Sequence, residues 1–149
     1  MNKILTKIGF PCGCFDLMHA GHVKMLKDAR LNACDKLIVG VQSDPSIDRP
    51  DTKNKPIQPY EDRIEMVKSC RWVDKIVMYD TEKDLYNLLQ DLNPDVRILG
   101  TDYVDKSFTG DDLGIEVYYH ERNHGMSTSE MRRLVYIAEA KIRKSCCDR

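Results

Sequence analysis

Short apolar runs alternate along the chain with segments whose apolar residues recur at helical spacing. The short runs are rich in β-branched residues, which is typical of strands buried on both faces. They predict five strands, at residues 4–10, 36–41, 75–79, 96–99 and 115–119. The helical spacing predicts four helices, at residues 19–33, 60–70, 82–92 and 127–144.

This alternation predicts a single α/β domain over residues 1–149, a Rossmann-like, doubly wound parallel sheet of five strands. We expect the tail from about residue 143 to be its flexible part. In such folds ligands bind beyond the carboxyl ends of the strands. Histidines follow the first strand, a lysine-bearing loop the second, Asp102 the fourth and Arg122 the fifth. We therefore expect these side chains to share one pocket.

Charge and hydropathy exclude several classes of partner. The formal net charge is −1, which argues against a nucleic acid partner. No apolar run approaches the roughly 20 residues that span a bilayer, so we expect no membrane partner. The first residues also lack the apolar core of a secretion signal, and we expect a cytoplasmic location.

The six cysteines are expected to be free thiols. No Cys-x-x-Cys pair is present to begin a zinc site. A zinc ion held by His19 and His22 with Cys12 or Cys14 is the weaker alternative, so we predict no metal site built from the protein's own side chains.

His19 and His22 stand three residues apart at the predicted start of the first helix. The first helical turn has unpaired N–H groups and partial positive charge, which together favour anion binding. Gly21 allows a ligand to approach the backbone closely. An ordinary pair of surface or capping histidines is the alternative. Because Walker A and Gly-x-Gly-x-x-Gly loops are both missing from the sequence, we predict that this element binds phosphate.

A second candidate element begins after the fifth strand. Ser127 and Glu130 have the spacing of a capping box, which alone accounts for a helix start. A capped helix still presents N–H groups to a phosphate, and Thr128 could join them. The cap does not explain Arg122, whose forked guanidinium suits phosphate oxygens.

Residues 13–22, Gly-Cys-Phe-Asp-Leu-Met-His-Ala-Gly-His, resemble the signature of the cytidylyltransferase-like nucleotidyltransferases. Residues 122–129, Arg-Asn-His-Gly-Met-Ser-Thr-Ser, are similar to the family's second hallmark, Arg-Thr-Glu-Gly-Ile-Ser-Thr-Thr. Further matches are Tyr-Glu-Asp-Arg at 60–63, Arg-Trp-Val-Asp at 71–74 and Leu-Gly-Thr-Asp-Tyr at 99–103. The resemblance covers about residues 4–133, which is nearly the whole chain.

The resemblance implies nucleotidyl transfer, in which an acceptor phosphate attacks the α-phosphorus of a nucleoside triphosphate and expels pyrophosphate. It implies Mg²⁺ with the triphosphate and a homodimer with Trp72 near its interface. The catalytic residues it implies are His19, His22, Lys55 and Arg122. The nucleotide-binding residues it implies are Gly13, Cys14, Phe15, His19, His22, Gly100, Asp102, Arg122, Met126, Ser127 and Thr128.

Lys53, Lys55 and Lys106 are the candidates for the acceptor substrate. The resemblance implies one lysine in the loop after the second strand and leaves open whether it is Lys53 or Lys55. For Asp102 a plain turn residue is the alternative, and for Lys106 a solvated surface lysine. His124 stands where the family has glutamate and is our candidate for a difference in specificity.

The small size and the arginine of the second hallmark most resemble glycerol-3-phosphate cytidylyltransferases. CTP and glycerol 3-phosphate are therefore the first substrate hypothesis. The Lys-x-Lys-Pro-Ile loop and Glu-Asp-Arg resemble enzymes that adenylylate heptose phosphate or FMN, so ATP with a sugar phosphate or FMN is the alternative. A non-catalytic nucleotide-binding module is the hypothesis from another class.

Overall fold

The computed structural model describes residues 5–123 and 125–147 and has a five-stranded sheet. The strands are β1 (Ile8–Gly13), β2 (Lys36–Gln42), β3 (Lys75–Tyr79), β4 (Val96–Gly100) and β5 (Glu116–His120). The helices are α1 (Ala20–Asn32), α2 (Tyr60–Lys68), α3 (Glu82–Leu92) and α4 (Thr128–Cys147). All neighbouring strands are parallel, in the order β3-β2-β1-β4-β5. The predicted α/β fold with a five-stranded parallel sheet is therefore confirmed.

Helices cover both faces of the sheet. On one face Leu26 of α1 and Val67 of α2 are fully buried in one apolar cluster. On the other face Leu85 and Leu89 of α3 pack with Phe10 of β1. Connections from β1 lead first to β2 and β3 and later to β4 and β5, on the opposite side of β1. The carboxyl ends of β1 and β4 therefore form a topological switch point, where doubly wound folds bind ligands.

The predicted bounds of two elements were wrong. β1 begins at Ile8 and continues to Gly13, whereas the sequence placed it at residues 4–10. Proline and glycine are poor strand formers, but pairing with β2 and β4 on both sides keeps Pro11 to Gly13 in the sheet. α4 extends beyond the predicted residue 144 to Cys147, so the tail from 143 to 147 is helical. Residue 4 lies outside the described residues.

Arg63 of α2 is buried and joins several segments around the end of the sheet. Its guanidinium donates to the carbonyl oxygens of Cys14 and Gln42, each at 2.7 Å, and to that of Ser43. Its Nε donates to the carbonyl of Gln58 at 3.2 Å. Arg63 thus ties the ends of β1 and β2 to the loop that precedes α2.

α4 differs from the other helices because none of its residues is buried. Its exposed apolar side chains are Leu134, Val135, Tyr136 and Ile142. Within the described part of the chain, no helix combines the length and the apolar character needed to cross a membrane. The homodimer expected from the sequence stays a prediction.

Gly40 provides a test of the close packing of β2 against β1. A Cβ at Gly40 would lie 2.7 Å from Phe10 Cζ and 3.0 Å from Cys12 Cβ. We expect Gly40→Ala to lower the free energy of unfolding by about 1–3 kcal/mol, as overpacked core substitutions do. Urea denaturation measures this loss.

Gly13→Ala is the matched control, because the nearest atom to its Cβ would be 3.7 Å away. Its free energy of unfolding should change by less than about 1 kcal/mol. Equal losses in the two variants would contradict the packing described here.

Candidate active site

A cavity of about 960 Å³ lies at the carboxyl ends of the strands and extends over both faces of the sheet. We call its two parts the α1 lobe and the α3 lobe, after the helix that borders each. The α1 lobe is lined by Phe15, His19, His22, Met25 and His120. The α3 lobe is lined by Cys12, Tyr79, Glu82, Leu85, Arg97 and Phe108. The lobes meet above the ends of β1 and β4, at the switch point.

Most of the site residues proposed from the sequence line this one cavity. They are Gly13, Cys14, Phe15, His19, His22, Lys53, Gly100, Asp102, Arg122, Met126, Ser127 and Thr128. Lys55 and Lys106 are not among the residues that line it, contrary to the expectation for both. His124 lies outside the described residues.

The turn between β1 and α1 is held in an unusual backbone conformation. Phe15 and Leu17 have φ angles of +52° and +48°, a region that non-glycine residues rarely adopt and that costs about 1–3 kcal/mol each. Between them, the buried carboxylate of Asp16 accepts hydrogen bonds from the backbone N–H groups of Ile57 and Gln58, both at 2.9 Å. The loop before α2 thus fixes the turn from which the histidines project.

His19 and His22 cap α1 reciprocally. His19 is the N-cap residue, and its Nδ1 accepts a hydrogen bond from the backbone N–H of Gly21 at 3.0 Å. Nδ1 of His22 accepts one from the backbone N–H of His19 at 3.2 Å. The two rings lie 4.0 Å apart between centroids. The predicted helix start at the histidines is confirmed, and the capping and phosphate-binding interpretations are compatible.

This capping fixes which nitrogen of each ring carries the proton. A neutral imidazole whose Nδ1 accepts a hydrogen bond has its proton on Nε2. Both rings line the α1 lobe. His19 and His22 can therefore act there as Nε2–H donors without losing their bonds to the helix backbone.

Arg122 and Asp102 form an ion pair at the ends of β4 and β5. Arg122 Nη1 lies 3.0 Å from Asp102 Oδ2, and the backbone N–H of Arg122 donates to Thr101 Oγ1 at 3.2 Å. A Cβ at Gly100 would lie 2.8 Å from Arg122 Cδ, so glycine leaves room for the arginine. Both charged side chains are part exposed in the cavity, where an anion could replace the carboxylate beside Arg122.

The start of α4 packs on the β1–α1 turn. Ser127 Oγ accepts a hydrogen bond from the backbone N–H of Glu130 at 3.1 Å, as the capping box predicts. The Glu130 carboxylate pairs with Arg133 Nε at 2.9 Å. Thr128 Oγ1 donates to the carbonyl oxygen of Asp16 at 3.0 Å. Two helix N-termini therefore border the same lobe, and both favour bound anions.

The loop after β2 brings Lys53 rather than Lys55 to the cavity. Lys55 contributes to lowering the pKa of Asp44, although a hydrogen bond from Ser46 is the main cause. The carbonyl oxygen of Lys55 accepts from Arg132 Nη1 at 3.4 Å, and Arg132 itself lines the cavity. Arg132 is a cation that the sequence interpretation missed, because a helical arginine has no distinguishing local pattern.

Arg49 and Arg97 are two further cations that were missed. Arg49 Nη2 pairs with Glu82 Oε1 at 2.7 Å and donates to Gln42 Oε1 at 2.8 Å. Arg97 lies within the predicted fourth strand, which was recognised from its apolar residues Val96, Ile98 and Leu99. The hydrophobic spacing gave no signal for either residue.

His120 also lines the α1 lobe and is held by a carboxylate of α1. Its Nδ1 lies 2.7 Å from Asp28 Oδ2, and Tyr118 donates to Asp28 Oδ1 at 2.9 Å. Burial raises the pKa of Asp28, but the hydrogen bonds from His120, Asn32 and Tyr118 outweigh it and hold the pKa below its usual value. The pair links β5 to α1 beside the cavity.

All six cysteines are free, as the sequence predicts. Burial raises the pKa of the Cys12 and Cys14 thiols, and Arg97 and Arg63 only partly oppose it. Neither thiol is therefore an activated nucleophile. Among residues 5–123 and 125–147, no three His, Cys, Asp or Glu side chains are grouped so that they could hold a metal ion.

The double role of His19 can be separated by substitution. His19→Ala should lower the free energy of unfolding by about 1 kcal/mol because it removes the N-cap acceptor. His19→Asn keeps an acceptor for the Gly21 N–H and should retain most of that stability. Thermal and urea denaturation of the two variants measure the difference. Equal stabilities would contradict a capping role for the imidazole.

Thiol reactivity should follow burial. Cys146 and Cys147 are exposed, whereas the raised pKa of Cys12 and Cys14 keeps their thiolate fractions low. At pH 8, iodoacetamide should modify Cys146 and Cys147 well before Cys12 and Cys14, and raising the pH should narrow the gap. Peptide mass spectrometry over time measures the order, and early modification of Cys12 would contradict it.

Comparison with known proteins finds relatives of this chain. The bifunctional protein HldE of Wolinella succinogenes is 44% identical over 124 residues, which are 83% of this chain and 26% of that protein. The bifunctional protein HldE of Caulobacter vibrioides is 36% identical over 129 residues, 84% of this chain and 26% of that protein. The chain thus spans about a quarter of the length of these relatives.

A solved structure and a family profile extend the comparison. The lipopolysaccharide core biosynthesis protein from Thermoplasma volcanium superposes with a TM-score of 0.61 at 26% identity, over 78% of this chain and 96% of that one. The profile described as cytidylyltransferase-like matches residues 10–134. The chain therefore belongs to the cytidylyltransferase-like family.

Proposed function

We propose that this protein is a nucleotidyltransferase that moves AMP from ATP to the phosphate of a sugar phosphate, forming an ADP-sugar and releasing pyrophosphate. The observation that carries the proposal is the reciprocal capping of α1, which fixes the rings of two histidines at a helix N-terminus on the wall of the α1 lobe. Donors held in place before the reaction stabilise charge that develops at a phosphorus centre.

ATP and a sugar phosphate are preferred to CTP and glycerol 3-phosphate because of the relatives. The proteins named HldE favour an adenylyltransferase that acts on a sugar phosphate. The Lys53-Asn54-Lys55-Pro56-Ile57 loop and the Glu61-Asp62-Arg63 segment also resemble enzymes that adenylylate heptose phosphate. The arginine of the second hallmark is the feature in favour of CTP and glycerol 3-phosphate.

The proposed reaction is an in-line displacement. A phosphate oxygen of the acceptor bonds to the α-phosphorus, and the bond from that phosphorus to the bridging oxygen of pyrophosphate breaks. His19 and His22 donate to the oxygens of the α-phosphoryl group as negative charge grows on them. Because acceptor oxygen and nucleotide react directly, no nucleophilic side chain is required.

Arg122 is proposed to exchange partners when the nucleotide binds. Its guanidinium leaves the Asp102 carboxylate for the β- and γ-phosphates, with the N-terminus of α4 at Ser127 and Thr128 beside them. Asp102 is then available to the ribose or base. Lys53 is the loop lysine placed to neutralise phosphate charge, because it lines the cavity and Lys55 does not.

Mg²⁺ is proposed to enter with the triphosphate. Phosphate oxygens and water supply most ligands of Mg²⁺ in such sites, which suits a protein whose described residues offer no preformed metal cluster. The ion neutralises charge on the transferring and leaving phosphates. The chain's own part is to orient the nucleotide through Arg122 and the two helix N-termini.

The substrate proposal is tested by pyrophosphate release. ATP and CTP are each combined with aldose 1-phosphates of six and seven carbons, FMN, and glycerol 3-phosphate. We expect turnover with ATP and an aldose phosphate. Turnover with CTP and glycerol 3-phosphate alone would replace this proposal with the cytidylyltransferase hypothesis. Nucleotide binding without release against any acceptor would indicate a non-catalytic module.

The role of the histidines is tested by His22→Ala. We expect kcat to fall by about 100- to 1000-fold, the usual effect of losing one donor to a developing oxyanion. Lys24→Ala is the control, because Lys24 is an exposed residue on the same helix. His19→Asn should lose activity to a similar extent while remaining folded. Rates within threefold of the wild type for both histidine variants would contradict the mechanism.

A further inference from the structure

Arg97 places a buried positive charge in the α3 lobe. The residue is 2% exposed and lines the cavity. No ion pair found among the described residues includes it. The guanidinium lies 5.9 Å from the ring of Phe10 and 5.6 Å from that of Phe108, and such ring faces attract cations. Aromatic faces therefore offset part of its charge.

The Nε–H group of Arg97 has no acceptor in the described structure. Nη1 donates to the carbonyl oxygen of Thr109 at 2.8 Å, and Nη2 lies 3.7 Å from Cys12 Sγ. Nε is buried without a hydrogen-bond partner in the described structure. Buried donors in proteins are almost always paired. Arg97 is thus anchored through Nη1 and Nη2, and its Nε–H still needs a hydrogen-bond acceptor.

Acceptors and aromatic rings lie around the same lobe. Glu82 accepts from Arg49 through Oε1 and from Thr109 Oγ1 through Oε2. Asp111 and Tyr103 also line the cavity on this side. Phe108 is half-buried against Arg97. A wall that combines charged donors, carboxylate acceptors and an aromatic face suits a molecule with many hydroxyl groups and an apolar ring face.

We propose that the α3 lobe binds the hydroxylated body of the sugar phosphate acceptor, with Arg97 Nε donating to one of its hydroxyl oxygens. This proposal rests on the proposed function and assigns the acceptor's sugar to the lobe across the sheet from the histidines. The acceptor phosphate then lies where the two lobes meet, above the end of β1, with the α-phosphorus on the histidine side. Arg97 is a binding and specificity residue for the sugar, remote from the bonds that change.

A neutral sugar suits the lobe better than a second anionic group. The positive charge of Arg49 is already paired with Glu82, and the Asp111 carboxylate also lines the lobe, so little positive charge is left there for an anion. Phe10 and Phe108 already offset part of the charge of Arg97, and one hydroxyl oxygen would satisfy its Nε–H. The predicted signature is selectivity for acceptors with a full sugar over short phosphorylated alcohols.

Arg97→Lys tests the assignment, because lysine keeps the positive charge and removes the Nε–H. We expect the KM for an aldose 1-phosphate to rise about tenfold or more, the usual effect of losing a hydrogen bond to a charged group. The KM for ATP and the kcat/KM for glycerol 3-phosphate, which lacks the sugar body, should stay within twofold. Arg30→Lys is the matched control, since Arg30 pairs with Asp74 on the outer surface.

Equal losses with the aldose phosphate and with glycerol 3-phosphate, or a change in kcat or the KM for ATP alone, would overturn the assignment. If Arg97→Lys fails to fold, Phe108→Leu replaces it. That variant should raise the KM for the aldose phosphate severalfold and leave glycerol 3-phosphate unaffected; the same change for both acceptors would also overturn the assignment.

Failure of the proposed function gives a different result. If the wild type transfers no nucleotide to any acceptor, calorimetry measures the binding of the same aldose 1-phosphates directly. A tenfold weaker Kd in Arg97→Lys than in the wild type would support the sugar site without the proposed reaction. Equal affinity, or no binding to the wild type, would overturn the sugar site.

Discussion

The site depends on the burial of one guanidinium, that of Arg63. Its N–H groups join carbonyl oxygens from the end of β1, the end of β2 and the loop that leads into α2. Carbonyl groups such as these would be costly to bury unpaired. By donating to all of them, Arg63 holds the end of β1, the end of β2 and the loop before α2 in fixed positions relative to one another.

The segments joined by Arg63 allow the β1–α1 turn to keep a strained backbone. Phe15 and Leu17 hold positive φ angles because Asp16 between them is fixed by the loop before α2. The β1–α1 turn fixes the angle at which α1 begins, and it therefore also fixes the direction of both imidazoles. Strain of this kind persists only where the surroundings over-determine the conformation. The geometry of the histidines is therefore a property of the whole sheet edge rather than of the local motif.

The sequence predicted those features that are encoded locally. The alternation of strands and helices along the chain, the helix start at His19 and the cap at Ser127 all follow from short patterns, and they agree with the structure. Lys53 and Lys55 could not be distinguished, because the shape of their loop depends on distant contacts. The backbone N–H groups of Ile57 and Gln58 donate to Asp16, which lies 41 and 42 residues earlier in the chain. Arg97 escaped notice because a charged residue inside an apolar run looks like a break in the pattern, and only packing shows what surrounds it.

The contact between Thr128 and Asp16 joins positions 112 residues apart. Beyond it α4 buries no residue, so little apolar surface holds the helix in place. Opening of α4 therefore costs less free energy than unfolding of the sheet, as expected for a segment with few buried contacts. The helix that completes the cavity wall is therefore also the helix with the fewest buried contacts.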